Sequence, residues 1–312
     1  MADVMARFDT ASDRGQLLLV TALALAVMLV TVALLLNTAI FTENVATRDT
    51  TADGREAVEL RGEAVDSVGT LIETENRGGG GDTGDVEAAV DAMGPLVDRE
   101  HARHGAIATL SRNGSATAGR LLRWSDAGSP RAFDEEGTHW TFADGLGSAR
   151  GFRLTVDPST LTDTTAGASD AEAVGVRFIN STGNNVTQYL YVDGSGTLSV
   201  AEAVDGSTPT RQCSIEHNGT TTVDFTASRL STNGSTTDCF RGLWPPTSPD
   251  EIEFVNVGGE EGTAEVTVDS GSSPTGSVTD DDAVYAVTVD VGYTSQELDF
   301  ETTVRVAPGE PQ

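Results

Sequence analysis

The sequence contains no lysine, and all 19 of its basic residues are arginine. This absence excludes mechanisms that depend on a lysine amine: the P-loop phosphate cradle, Schiff-base catalysis and a Ser-Lys dyad. Proline is also absent before Pro95. A helix that begins near the amino terminus can therefore continue to about Asn76 without a proline break.

Positive charge is scarce, because 48 acidic residues outnumber the 19 arginines and give a net charge of -29. Such a charge repels nucleic acid and anionic lipid headgroups, so we expect no nucleic-acid partner. Abundant carboxylates with arginine in place of lysine resemble the composition of haloarchaeal proteins. A disordered acidic chain conflicts with the alternating apolar segments that follow Gly151.

One long apolar run, Leu17–Leu36, contains only two polar residues, Thr21 and Thr31. As a helix it is about 30 Å long, which matches the hydrocarbon core of a bilayer. A secretory signal peptide has a shorter apolar region and a small-x-small cleavage site, whereas this run ends in Asn37-Thr38-Ala39-Ile40. The run therefore predicts a membrane helix that is retained, with membrane lipid as its first partner.

The residues typical of an oxidising, extracytoplasmic compartment all follow the apolar run. They are two cysteines and five Asn-x-Ser/Thr sequons. We therefore expect a single-pass protein of the cell membrane, with a cytoplasmic amino terminus and an extracellular carboxyl-terminal domain. The sequons, which are candidate N-glycosylation sites, are Asn113, Asn180, Asn185, Asn218 and Asn233.

The junction Arg14-Gly15-Gln16 precedes the apolar run directly. A charged tail, this junction and an unbroken apolar helix together resemble the class III signal peptide of archaeal pilins and archaellins. The resemblance implies that a prepilin-type peptidase cuts after Gly15, so that the leader is removed and the helix stays. The sequence departs from bacterial type IV pilins at Val20, where those proteins have glutamate. An uncleaved signal anchor remains the alternative.

The apolar spacing divides the chain into five parts. They are a leader (1–15), a transmembrane helix with a helical stalk (16–77), a glycine-rich linker (78–84), a second helix (85–109) and a β domain (110–312). In the stalk, Val58, Val65, Val68 and Ile72 form an apolar stripe at helical spacing. The two helices are expected to form a hairpin that stands on the membrane.

Beyond residue 110 the apolar residues alternate with a period of two, and turn signals such as Asp193-Gly194 separate the segments. This pattern predicts an antiparallel, sandwich-like all-β domain. The complete fold class expected is therefore α+β: an amino-terminal transmembrane helix extended into a stalk, followed by the extracytoplasmic β domain. The predicted strands are Gly119–Trp124, Gly151–Val156, Val174–Asn180, Gln188–Val192, Thr197–Val200, Val223–Thr226, Ile252–Val257, Ala264–Val268, Val284–Val291 and Leu298–Val306.

The sequence offers little chemistry. Cys213 and Cys239 favour a disulfide, with two free thiols or a metal site as alternatives. His101 and His104 share a helix face but have no evident third ligand, and the run Asp280-Asp281-Asp282 lacks the spacing of a calcium loop. We expect no catalytic residue, no metal, no cofactor and no enzymatic activity.

Two functions follow from these expectations. In the first, the protein is a pilin-like structural subunit of the cell surface that supports adhesion or filament assembly. Ala22 and Ala26, at small-xxx-small spacing, would pack its helix against other pilin-like subunits. In the second, the helix is only an uncleaved anchor, and the β domain is an extracytoplasmic binding module with no filament role.

Overall fold

The computed structural model describes residues 28, 30, 54–78, 80–125, 138–161, 173–257, 262–274 and 278–311. Residues 54–78 are helical (α1), and a second helix, α2, spans Thr83–Ala102. A short 3-10 helix covers Pro158–Thr160. The strands, β1 to β16 in chain order, are Ile107–Arg112, Thr117–Ser125, Thr138–Asp144, Ala149–Val156, Val174–Ile179, Asn185–Asp193, Thr197–Val204, Thr210–Glu216, Thr221–Asp224, Arg229–Thr232, Ser235–Asp238, Glu251–Val257, Gly262–Asp269, Ser273–Pro274, Thr279–Thr294 and Asp299–Val306.

The strands form two antiparallel sheets. The larger has the order β1-β15-β2-β13-β4-β9-β10-β11, with β16 also paired to β15. The smaller has the order β14-β3-β12-β5-β6-β7-β8. Strands β1 and β2 pair with the same edge of the long strand β15: β1 pairs with its second half and β2 with its first half. Residues 113–116, which lie between β1 and β2, interrupt this pairing.

The main core lies between the two sheets. Along β4, residues facing the core alternate with half-buried ones, which is the period-two pattern of a sandwich strand. Aromatic rings from both sheets meet here: Phe152 of β4 stacks on Phe142 of β3 with 5.9 Å between ring centroids, and the ring of Trp124 of β2 lies 6.1 Å from that of Phe254 of β12. Large buried rings of this kind contribute much of the stability of a sandwich.

A second core lies between the helices and β1, β15 and β16. Helix α1 buries a stripe at helical spacing that consists of Ala57, Leu60, Ala64, Val68 and Ile72. Helix α2 adds two buried valines, and the central valines of β15 lie opposite both helices. The helices thus form a third layer on the larger sheet.

The connection between the helices is packed tightly against β15. Gly81 has a φ of 53°, and a Cβ at this position would overlap the backbone carbonyl of Asp282. The next residue, Asp82, caps α2 by accepting a hydrogen bond from the Gly84 amide at 2.7 Å. The glycine-rich segment therefore includes a turn that only glycine fits.

The expected α+β fold with a transmembrane helix and a stalk is wrong. The described chain is mainly antiparallel sheet, and both helices lie on that sheet. No helix within the described ranges is both long and apolar enough to cross a membrane. The error has a physical cause: an apolar stripe shows that a helix needs a partner, but the partner here is β15.

Details of the helices also differ from expectation. Val58 was expected in the stripe of α1, but it is 65% exposed. Helix α2 continues through Pro95 and ends at Ala102, so the last residues assigned to it begin β1 instead. The predicted membrane segment Leu17–Leu36, with Ala22 and Ala26, lies outside the described residues except for positions 28 and 30.

Candidate functional site

A cavity of about 330 Å³ opens at one end of the sandwich. It lies between the β5–β6 turn, the β7–β8 turn and the proline-rich segment 245–249. Its volume falls at the lower end of the range for small-ligand sites. The residues that line it are Phe178, Asn180, Asn184, Val186, Glu202, Val204, Asp205, Pro245, Pro246, Thr247 and Pro249.

The floor of the cavity comes from the inward faces of β6 and β7. Toward the middle of the sandwich these faces are apolar, and Leu190 pairs with Val200 in the buried core. The next inward pair toward the cavity is Gln188 and Glu202, which are polar. Polar residues at inward positions of a sandwich are the signal of this site, and the signal can be read only once the strand register is known.

The polar pair is held by hydrogen bonds. Gln188 is fully buried, and its Nε2 donates to Glu202 Oε2 at 2.9 Å and to the Leu243 carbonyl at 3.1 Å. Its Oε1 is buried without a hydrogen-bond partner. An unsatisfied buried oxygen costs about 1–3 kcal/mol. The amide fixes the Glu202 carboxylate at the cavity floor.

The rim is built from two turns. Asp205 and Gly206 both have positive φ, of 48° and 72°, as a type I′ turn requires. Asp205 Oδ1 accepts from the Asn185 amide at 2.8 Å, which ties this turn to the β5–β6 turn. In the latter, Asn180 Oδ1 accepts the amides of Thr182 and Asn184 at 3.1 and 3.0 Å.

The proline-rich wall is anchored from behind. Trp244, which precedes it, lies 5.1 Å from the ring of Phe178 and 6.5 Å from that of Phe152. The Leu243 amide donates to Ser228 Oγ at 2.9 Å. These contacts fix the start of the segment, and its prolines have few conformations to lose. The wall is therefore preformed.

The segment that follows β16 is held against the larger sheet by side chains of β4 and β15. Arg150, which is buried, donates to the Pro308 carbonyl at 2.7 Å and to the Val284 carbonyl at 2.8 Å. Burial lowers the pKa of Arg150 to about 10. Burial likewise raises the pKa of Tyr285 to about 12, and its hydroxyl donates to Glu310 at 3.0 Å.

Cys213 and Cys239 form a disulfide in the structure. Cys213 lies on β8, the end strand of the smaller sheet, and Cys239 follows β11, the end strand of the larger sheet. The bond therefore joins the two sheets at one side of the sandwich. The sequence predicted the pairing because both cysteines follow the apolar run, but it could not show that the two residues belong to different sheets.

The five sequons lie in different surroundings. Asn218 and Asn233 are exposed on neighbouring turns, and Asn233 Nδ2 donates to the Asn218 carbonyl at 3.3 Å. Asn113 is exposed and donates to the Asp290 carboxylate at 3.0 Å. The remaining two, Asn180 and Asn185, are half-buried beside the cavity.

The two other polar motifs of the sequence, the histidine pair at the end of α2 and the acidic run of β15, make contacts within the fold. The ring of His101 lies edge-on to Tyr293, with 6.0 Å between centroids. In the acidic run, Asp280 pairs with Arg120, and Asp281 pairs with Arg123 at 2.7 Å. No cluster of three His, Cys, Asp or Glu side chains fit to hold a metal occurs in the part of the chain that the structure describes.

The processing residues Arg14, Gly15 and Gln16 lie outside the described residues. A family of unknown function, DUF7261, matches residues 11–139, a part that includes these three positions, the apolar run and both helices. The chain is similar to that family over this part. No curated protein matches the chain.

Two solved structures are distantly similar. The native heptameric SAP-like pentraxin from Limulus polyphemus is 12% identical, with 62% of this chain and 96% of that chain covered and a TM-score of 0.23. Scytalido-glutamic peptidase, solved with a peptide-based transition state analog, is 15% identical, with 55% and 87% covered and a TM-score of 0.18. At such TM-scores neither likeness carries an argument about fold or function.

Proposed function

We propose that the protein is a pilin-like structural protein of the cell surface, held at the membrane by its apolar segment Leu17–Leu36. One observation carries the proposal. Met28 and Val30, the two described residues of that segment, are helical and are 72% and 60% exposed. Exposed apolar side chains in an unbroken apolar run need a cover, which lipid or the same segment of a neighbouring subunit would supply.

The attachment of α1 to the sandwich supports a structural role. The buried stripe from Ala57 to Ile72 fixes the helix on the larger sheet. Near the amino-terminal end of α1, Glu56 Oε2 accepts a hydrogen bond from the Tyr293 hydroxyl at 2.6 Å. A pulling force on the amino-terminal segment would therefore be transmitted to β15 through the packed surface between α1 and the larger sheet.

Two further features support placement of the sandwich outside the cell. A disulfide between the two sheets persists in oxidising compartments and is rare in the cytosol. Three of the sequon asparagines, Asn113, Asn218 and Asn233, are exposed on turns, where a glycan can be accommodated. The partners proposed are membrane lipid, other pilin-like subunits through Ala22 and Ala26, and a prepilin-type peptidase.

The test is the mass of the amino-terminal peptide of protein recovered from native membranes. A chain that begins at Gln16 is the expected result, and Gly15→Val should abolish the cut, whereas Ala11→Val should leave it intact. Recovery of the intact leader from the unaltered protein would refute the pilin-like assignment.

The second candidate is a binding module on an uncleaved anchor, and the cavity at the end of the sandwich favours it. That cavity has a preformed wall and a carboxylate fixed at its floor, which a purely structural subunit does not need. Persistence of the leader together with measurable ligand binding would select this function over the first.

A further inference from the structure

We infer that the cavity binds a ligand that carries one positively charged nitrogen group on an apolar body. The inference deepens the second candidate function and rests on it. Apolar walls formed by Val186, Val204 and the prolines surround the carboxylate of Glu202. A ligand of this class would place its apolar part against the walls and its charge on the carboxylate.

The charge at the floor is uncompensated. Glu202 is half-buried and belongs to none of the ion pairs found among the described residues. Its one hydrogen bond to a side chain comes from the neutral amide of Gln188. A bound cation would compensate this half-buried charge.

The surroundings of Glu202 increase its preference for a cation. Asp205 adds a second carboxylate at the rim, and the chain as a whole carries a charge of -29. Negative potential over a concave site raises the local concentration of positive ligands. An anionic ligand would be repelled by both carboxylates.

The lining also discriminates among neutral and metal ligands. Sugar sites commonly stack a sugar ring on an accessible aromatic face, but the only aromatic side chain that lines the cavity, Phe178, is 1% exposed. A divalent metal needs several oxygen ligands at close quarters, and the described residues contain no such cluster. An ammonium or guanidinium group requires only one oriented carboxylate, which Glu202 supplies.

The same chemistry could come from a free organic cation or from an arginine side chain of a partner protein. In both cases the recognised part is a guanidinium or ammonium group on a short aliphatic stem. The two sources differ in whether a peptide backbone around that stem adds to the affinity.

The experiment is isothermal titration calorimetry on the full-length protein in lipid nanodiscs. The probe is butylguanidinium, and its neutral counterpart of similar shape is butylurea. Glu202→Gln removes the charge and keeps the hydrogen-bond acceptor for Gln188. Glu216→Gln removes the same charge from an exposed site at the far end of β8, so it serves as the matched control.

Binding of butylguanidinium that weakens about tenfold or more in Glu202→Gln and is unchanged in Glu216→Gln is the expected result. Equal loss in both variants would reduce the effect to overall charge and overturn the inference. Equal binding of butylurea would overturn the cationic class while leaving a binding module in place. Absence of binding by both probes would overturn the inference and remove the cavity as support for the second function.

A capped Gly-Arg-Gly tripeptide distinguishes the two sources. Tighter binding of the tripeptide than of butylguanidinium, with the same dependence on Glu202, would identify an arginine of a partner protein. Tighter binding of butylguanidinium would identify a free organic cation.

Discussion

The side chain of Asn76 lies at the edge of β15, just beyond the end of β16. If β16 were longer, its next residues would pair with β15 at this place. The pairing of β16 with β15 ends where Val306 meets Val287. Beyond that point Asn76 pairs with the backbone of Val284: its Nδ2 donates to the carbonyl at 3.0 Å, and its Oδ1 accepts from the amide at 2.8 Å. One side chain thus replaces a missing strand residue.

The cost of Asn76→Ala can be worked out from these bonds. The Val284 carbonyl would keep its bond from Arg150 at 2.8 Å, so it stays satisfied. The Val284 amide would be buried without an acceptor, at a cost of about 1–3 kcal/mol, and the second lost bond would add about 0.5–1.5 kcal/mol. The free energy of unfolding should fall by about 2–4 kcal/mol.

Equilibrium urea unfolding followed by circular dichroism measures this change. Arg77→Ala, on the same helix, is the control, because it breaks only an exposed ion pair with Glu73 and should cost less than about 1 kcal/mol. If Asn76→Ala costs no more than Arg77→Ala, the side chain does not complete the sheet edge and the reasoning is wrong.

Three further predictions concern stability. Replacement of Cys213 and Cys239 by serine should lower the free energy of unfolding by about 3.5 kcal/mol, because the bond closes a loop of 26 residues; an unchanged urea midpoint would contradict this. Gly81→Ala should destabilise by more than about 1 kcal/mol in thermal unfolding because of the overlap with β15, whereas Gly62→Ala, with open space around it, should be neutral or stabilising. Hydrogen bonds from an amide and a hydroxyl hold the pKa of Asp290 below its usual value, so its stabilisation is present above the unfolded pKa of about 3.9 and is lost as pH falls through the folded pKa. Asp290→Asn should therefore flatten the decline of the melting temperature between about pH 5 and pH 2, and parallel curves for both proteins would count against it.

Strands with strong alternation could be predicted from the sequence. All ten predicted segments overlap observed strands, as β4 and β13 illustrate. Polar strands could not be found in this way: β11 has the sequence Ser-Thr-Thr-Asp, and β8 contains only one apolar residue, Ile215, besides Cys213. Such strands are held by their neighbours, and that information is absent from their own residues.

Turn signals predicted a change of direction without showing where the chain goes next. Asp193-Gly194 closes a hairpin between β6 and β7, as expected. Asn218-Gly219 carries the chain from β8 in one sheet to β9 in the other, and Asn113-Gly114 interrupts an edge shared by β1 and β2. The same dipeptide chemistry serves all three, so only pairing partners distinguish them.

The candidate site was not predicted, because Gln188 and Glu202 are unremarkable polar residues in the sequence. Their meaning depends on register: each is directly opposite the other and faces the core. A shift of one residue would place both on the opposite face of the sheet, beside Tyr189 and Ala201. The disulfide is easier to predict from the sequence than the cavity, since two cysteines allow only one intramolecular disulfide.

The disulfide also determines which surfaces a neighbouring molecule can reach. Strands at the end of a sheet present unpaired backbone groups, which can recruit a strand from another chain and start aggregation. Here the end strands of the two sheets, β8 and β11, are tied to each other through Cys213 and Cys239. Edge-to-edge association at this side of the sandwich is thereby hindered, and chemical reduction should appear first as turbidity at high concentration.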